Sequence, residues 1–126
     1  MLEGATAHAI LPALDIDRAK SFYKDKVGAT PQEDSPSGTF FSIGETSFSI
    51  YPTPNPTRGG HTQMGIRVDD VGSAVKELRD RGVTFEEYDM PGLKTVDGVA
   101  DLGDVGKGAW FKDSEDNIIG VVQFNL

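Results

Sequence analysis

The sequence predicts an α+β fold built from two β-α-β-β-β modules. In each half of the chain a short apolar run is followed by an aspartate and then by an amphipathic stretch that ends at glycine. When His8 is aligned on Gln63, Asp15 falls on Asp70, so both stretches begin at a residue type that caps helices. A segment rich in proline and glycine, residues 53–61, links the two copies.

The first module is predicted over residues 5–52. Residues 6–14 form an apolar run of strand length, and Asp15 then begins a helix that ends at Gly28. Prolines and glycines divide residues 29–52 into three short stretches rich in Phe, Thr, Ser and Ile, a composition typical of strands. The order is therefore β-α-β-β-β.

The second module is predicted over residues 62–124. A strand over residues 63–68 precedes a helix that ends at Gly82. Three further strands are predicted, over residues 83–88, 108–112 and 118–124. Residues 89–107 show no clear period, which is typical of a lid, a binding loop or a locally disordered segment. Because a module of about 60 residues buries little surface alone, we expect a single domain in which both modules share one core.

Composition disfavours several classes of function. The chain has 12 Lys and Arg against 20 Asp and Glu, a formal net charge of −8. Nucleic acids and anionic membranes both attract basic surfaces, so neither is an expected partner. The chain has no cysteine, which excludes disulfides, thiolate metal sites and cysteine nucleophiles. Neither a signal-peptide pattern nor an apolar stretch of membrane-spanning length is visible, so we expect a cytoplasmic protein.

Three segments resemble the vicinal oxygen chelate superfamily, which includes glyoxalases, bleomycin-resistance proteins, fosfomycin-resistance enzymes and extradiol dioxygenases. HAILPALDIDRAKSFYKDKVG resembles the family's opening motif, QMGIRVDDVGSAVKELRDRGV the start of its second module, and AWFKDSEDNIIGVVQ its closing hairpin. IYPTPNP and KTVDGVADLGDVGKGAWFKD resemble a small glyoxalase-like subgroup. The resemblance implies paired modules that form an open, barrel-like mixed sheet around a cavity, with the helices outside.

Alternation of side chains along the strands indicates which residues line this cavity. The predicted substrate-binding residues are His8, Ser49, Tyr51, Gln63, Arg67 and Trp110. The rings of Trp110 and Tyr51 suit stacking on a planar ligand, or they fill the cavity themselves. Arg67 meets an anionic group of a ligand, or it pairs with Asp69 or Glu86 at the rim.

The resemblance also implies where a metal would bind. Metal-dependent members of this family hold their ion with a His or Gln in the first strand of each module and a Glu near the end of the last strand of each module. At the two first-strand positions the chain has His8 and Gln63. In place of the two acids it has Ser49 or Tyr51 in the first module and Gly120 in the second. Divalent ions bind best to donor sets that include anionic oxygens. We therefore expect no cofactor, with a divalent metal at His8 and Gln63 as the open alternative.

The sequence leaves three functions open. The first is a glyoxalase- or bleomycin-resistance-like protein that binds a small organic molecule or an antibiotic in a cavity between the modules, without a metal. The second is a metal-dependent lyase, isomerase or dioxygenase of the same superfamily with a non-standard ligand set, in which Glu45, Glu87 or a partner subunit supplies a carboxylate. The third is a structural or regulatory dimer with a filled cavity. Whether the chain is catalytic stays open, and by analogy with the family we expect a homodimer.

Overall fold

The computed structural model of the chain describes residues 2–55 and 60–125, so residues 56–59 of the predicted linker lie outside the described residues. The fold is α+β, as predicted, with one four-stranded and one six-stranded sheet. No helix within the described residues is long and apolar enough to cross a membrane. The cytoplasmic location stays a prediction.

The first module has the predicted β-α-β-β-β order. Its elements are β1 (Ala9–Ala13), α1 (Ile16–Ser21) continued by a π-helical turn (Phe22–Val27), β2 (Thr30–Ser35), β3 (Gly38–Ile43) and β4 (Thr46–Pro52). The strand order is β1-β4-β3-β2, with β1 parallel to β4. The Asp15 carboxylate accepts a hydrogen bond from the Arg18 N–H and so caps α1. Gly28, with φ of 80°, ends the helical segment in the left-handed region that favours glycine.

The second module has more strands than predicted. Its elements are β5 (Thr62–Arg67), α2 (Val71–Asp80), β6 (Asp89–Met90), β7 (Leu93–Val96), β8 (Val99–Asp101), a 3₁₀ turn (Gly103–Val105), β9 (Gly106–Lys112) and β10 (Ile118–Phe124). The strand order is β5-β10-β9-β8-β7-β6, with β5 parallel to β10. The Asp70 side chain caps α2, as its alignment with Asp15 predicts.

The predicted strand over residues 83–88 was wrong. In the structure this stretch forms only an isolated bridge, between Phe85 and Phe111, and a hydrogen bond from the Glu86 N–H to the Trp110 carbonyl. The reason is that β8 pairs with the other end of the same edge of β9. The two segments share one edge, and neither pairs along its full length.

Residues 89–107 form the meander β6-β7-β8 rather than an irregular loop. Its two turns are Pro91-Gly92 and Asp97-Gly98. Asp97 and Gly98 both have positive φ, 53° and 83°, as a tight two-residue hairpin turn requires. Asp-Gly between apolar residues is a hairpin signal, so the sequence does indicate the β7–β8 hairpin, which the prediction of a loop did not include.

Each sheet packs its helix on one face, and one hydrophobic cluster includes residues of both modules. Its most deeply buried large side chains are Leu11, Tyr23, Phe41, Ile50, Val71, Phe111, Ile119 and Val121. The opposite faces of the two sheets, here called the concave faces, carry the predicted binding residues.

A buried carboxylate organises the turn between β9 and β10. Asp113 is 5% exposed and accepts hydrogen bonds from the Tyr23 hydroxyl (2.6 Å), the Glu115 N–H (2.8 Å) and both the backbone and side-chain N–H groups of Asn117 (2.9 Å each). Burial and the neighbouring charge of Asp113 raise the pKa of Tyr23 well above its ordinary value, so the phenol stays a donor. We call residues 113–117 the aspartate turn.

The aspartate turn of the second module also binds the first module directly. The Glu115 carboxylate accepts from the Asp15 N–H (2.9 Å) and from two nitrogens of Arg18 (2.8 and 3.0 Å). The Asn117 side chain donates to the carbonyl of Pro12 in β1 (3.0 Å). The relative position of the two modules therefore depends on polar contacts as well as on apolar packing.

We expect Asp113→Asn to lower the free energy of unfolding by about 2–4 kcal/mol, because it replaces a charged acceptor of four hydrogen bonds by an amide that accepts fewer. Asp116→Asn is the matched control, since Asp116 is exposed and has φ of 67°, which asparagine tolerates. Urea denaturation measures the free energy of unfolding of both variants. Equal stabilities for the two would contradict the role of the Asp113 carboxylate.

The acid stability of the chain should depend on Glu115. Burial alone would raise the pKa of Glu115, but hydrogen bonds from Arg18 and the Asp15 N–H lower it from 4.5 to about 2. A carboxyl with a lowered folded-state pKa stabilises the fold above its ordinary pKa and loses that contribution as the pH falls. The stability difference between wild type and Glu115→Gln should therefore shrink as the pH falls from about 5 to about 2. Urea denaturation across this range tests it, and a constant difference would contradict it.

Candidate functional site

His8 lies on the concave face of the first module, hydrogen-bonded to two serines of β4. Its Nδ1 is 3.2 Å from the Ser47 hydroxyl and its Nε2 is 3.1 Å from the Ser49 hydroxyl. A neutral imidazole has one N–H and one acceptor nitrogen, so one serine donates to the ring and the other accepts from it. The ring centroid lies 5.6 Å from that of Phe40 on β3. Both ring nitrogens thus have protein partners.

Large side chains on the same face remain open to solvent. Ile10, Phe40 and Tyr51 are 61%, 44% and 40% exposed, whereas Leu11 of β1 and Ile50 of β4 are buried against the helix. The alternation thus follows the predicted pattern. The exposure shows that the chain by itself does not close a cavity over this face.

A groove lies at the seam where β1 of the first module runs beside β5 of the second. We call it the seam groove. Its volume is about 480 Å³, and its polar lining residues are His8, Glu45, Thr46, Ser47 and Arg67. Among the described residues Arg67 forms no ion pair with either predicted partner, Asp69 or Glu86. The Glu86 carboxylate instead lies 3.6 Å from the Lys112 Nζ. The Arg67 guanidinium carbon lies 5.7 Å from the centroid of the Phe124 ring.

Trp110 lies on the concave face of the second module, against two glycines. A Cβ atom built on Gly108 would lie 3.0 Å from the Trp110 ring, and one built on Gly120 would lie 3.2 Å from its Nε1. Both distances are shorter than ordinary van der Waals contact. The indole therefore lies over backbone that only glycine leaves uncovered. Tyr88 meets it edge-on, with ring centroids 5.8 Å apart.

Trp110 lines a second groove, here called the tryptophan groove. Its volume is about 440 Å³, and its other lining residues include Thr62, Glu86, Tyr88, Met90, Leu93 and Lys112. Sequence reasoning did not assign Tyr88 and Leu93 to the site, because Tyr88 ends the predicted strand over residues 83–88 and Leu93 lies in residues 89–107, which show no clear period. The Asp-Gly turn at residues 97–98 was the signal for the β7–β8 hairpin that contains Leu93.

Gln63 lies at an irregularity of the β5–β10 pairing. The register shifts by one residue there, so that Thr62 pairs with Ile118 and Met64 with Ile119. The Thr62 methyl group consequently lies 3.4 Å from a Cβ built on Gly120. Gln63 itself is half-buried, and simple alternation did not predict that Thr62 would share the face of Trp110.

Two acids near the tryptophan groove have structural partners. The Glu87 carboxylate accepts from the Gly98 N–H at 2.6 Å and so supports the meander, while Glu86 pairs with Lys112. Within residues 2–55 and 60–125 no three His, Cys, Asp or Glu side chains are grouped so that they could hold a metal ion.

The residues at the family's metal positions do not fit a divalent ion. His8 is bonded at both ring nitrogens to neutral hydroxyls, and Ser49 brings no charge. At the last position the Trp110 ring covers Gly120, where a carboxylate side chain would have to stand. Restoring the acid there would require the indole to move.

Known proteins resemble the chain in sequence family and in fold. The family model described as "Glyoxalase/Bleomycin resistance protein/Dioxygenase superfamily" matches residues 5–104. No curated protein matches the chain. Solved structures that resemble it include a glyoxalase/bleomycin resistance protein/dioxygenase from Nocardioides (TM-score 0.72, 16% identity, 98% of this chain and 86% of that one).

Two further solved structures also resemble the chain in fold. The fosfomycin resistance protein FosX from Listeria monocytogenes has a TM-score of 0.72 at 16% identity, with 100% of this chain and 97% of that chain covered. A lactoylglutathione lyase from Agrobacterium tumefaciens has a TM-score of 0.70 at 17% identity, with 98% and 96% covered. At such identities these structures show a shared fold. Because the family model spans most of its length, the chain belongs to the glyoxalase/bleomycin resistance protein/dioxygenase superfamily.

Proposed function

We propose that the chain binds a small organic molecule on its concave side, without a metal ion, and that an antibiotic is one candidate ligand. The observation that carries the proposal is the position of Trp110 over Gly108 and Gly120. The indole contacts the sheet at these two glycines, and the half-buried ring borders the tryptophan groove. The part of the ring that lines the groove is the proposed surface for stacking on a planar group.

The surroundings of Trp110 suit such a ligand. Tyr88 forms an aromatic wall, and Met90 and Leu93 add apolar surface. The Glu86–Lys112 pair provides polar groups at the edge of the same groove. An apolar groove with a few polar groups is the usual form of a small-molecule site.

The other predicted residues are proposed as further ligand contacts. His8, Ser49 and Tyr51 lie on the concave face of the first module, Gln63 at the bulge of β5 and Arg67 in the seam groove. The two grooves border different parts of the concave side.

Trp110 is the only tryptophan, so its fluorescence reports on the site directly. We expect planar aromatic compounds, bleomycin included in the panel, to change this fluorescence saturably in protein treated with EDTA. Gly120→Ala should weaken binding roughly tenfold, because it lifts the indole from the sheet and disturbs a stacking surface worth about 1 kcal/mol or more. Gly65→Ala is the matched control, since nothing lies within 4 Å of a Cβ there.

Two outcomes would contradict this proposal. Equal affinities for Gly120→Ala and Gly65→Ala would show that Trp110 does not bind the ligand. A stoichiometric divalent ion in the purified protein, lost in His8→Ala together with turnover, would establish the alternative, a metal-dependent lyase, isomerase or dioxygenase with a non-standard ligand set. Elemental analysis measures the ion.

We further propose that a second copy of the chain covers the concave face of the first module. The exposed side chains of Ile10, Phe40 and Tyr51 support this, because burying them against a partner removes apolar surface from water. We expect a dimer by analytical ultracentrifugation, and Phe40→Asp should convert it to a monomer. Val96→Asp is the control, since Val96 is 71% exposed on the meander and lies away from this face. A wild-type monomer at all concentrations would overturn the proposal.

A further inference from the structure

We propose that the seam groove binds the carboxylate of a small organic acid, with Arg67 as the group that receives it. The proposal rests on the proposed function only in taking the chain as a small-molecule-binding protein. It uses a groove separate from that of Trp110, so the two proposals can fail separately.

The first support is the unpaired charge of Arg67. None of the ion pairs found within residues 2–55 and 60–125 includes it, although the chain carries an excess of acids. Its one aromatic contact, with Phe124, uses no N–H donor. Guanidinium presents its donors in a planar fork that matches a carboxylate, so the side chain is equipped to bind an anion in the groove.

The second support is a neutral hydroxyl donor, Ser47, that lines the same groove. His8 and Ser47 both line the seam groove and are hydrogen-bonded to each other. If the imidazole N–H donates to the hydroxyl, the hydroxyl proton of exposed Ser47 is left for another acceptor. A carboxylate oxygen held by Arg67 is a suitable acceptor for it.

The third support is the apolar lining between these groups. Four apolar side chains line the groove: Phe48 and Met64 are buried, and Ile43 and Ile66 are half-buried. A hydrocarbon or aryl body packed against them would gain free energy in proportion to the apolar surface removed from water. A volume of about 480 Å³ is within the range of small-molecule sites.

Glu45 limits the charge that the groove accepts. It lies in the turn between β3 and β4 and lines the same groove, and it forms no ion pair among the described residues. Its negative charge repels a second anionic group. The ligand class is therefore a monocarboxylic acid with an apolar body rather than a dianion.

The test uses hexanoate and phenylacetate as probes, with hexanamide and hexylammonium as the neutral and cationic counterparts. Binding to EDTA-treated protein is followed by amide chemical shifts in NMR titrations. We expect the acids to bind with shifts around β1 and β5, and Arg67→Gln to weaken them roughly tenfold or more, as expected for the loss of a hydrogen bond to a charged group. Arg81→Gln is the control, because Arg81 pairs with Glu77 on α2.

Glu45→Gln supplies a test of sign. Removing a like charge from the groove should tighten the acids and leave hexanamide unchanged. Equal acid affinities for Arg67→Gln and Arg81→Gln would overturn the proposal, and so would preferential binding of hexylammonium that Glu45→Gln abolishes. Neither result would alter the binding of planar ligands that Gly120→Ala tests, so failure here is separable from failure of the proposed function.

Discussion

The hydrogen bond from the Tyr23 hydroxyl to the Asp113 carboxylate joins the helical segment of one module to the hairpin turn of the other. Among residues 2–55 and 60–125 no ion pair includes the buried Asp113, and N–H and O–H donors offset its charge. A buried carboxylate left without such donors costs several kcal/mol. All four donors reach it together only when the helix, the turn and the packing between modules are formed, so this group couples their folding.

The site depends on the same turn. Because the aspartate turn connects β9 to β10, it sets the register that places Trp110 opposite Gly120. Through Asn117 it also holds the carbonyl of Pro12, and therefore the strand that follows His8. The contacts of the aspartate turn thus hold the strands that line the two grooves in fixed relative positions.

Features that depend on local pattern could be predicted from the sequence, and features that depend on distant contacts could not. Capping by Asp15 and the orientation of Ser49 follow from helix signals and strand alternation. The contact of Trp110 with Gly120 can be predicted only when the register between β9 and β10 is known. The Tyr23–Asp113 hydrogen bond joins residues that are far apart in the chain. The meander could have been predicted from local pattern, because its Asp-Gly turn is a hairpin signal. The polar composition of residues 89–107 favoured a loop instead.

Gly120 and Trp110 depend on each other sterically, because a Cβ at position 120 would lie 3.2 Å from the indole Nε1. A glycine alone at position 120 would leave a gap where a carboxylate stands in metal-dependent members, and a water or ligand atom would fill it. An indole alone beside a carboxylate would clash with it, as the 3.2 Å distance to a Cβ there shows. In the proposed function, the two residues together supply an apolar stacking surface at this position. The cost of binding an uncharged ring there is low, because the indole rests on the sheet before the ligand arrives and little side-chain freedom is left to lose.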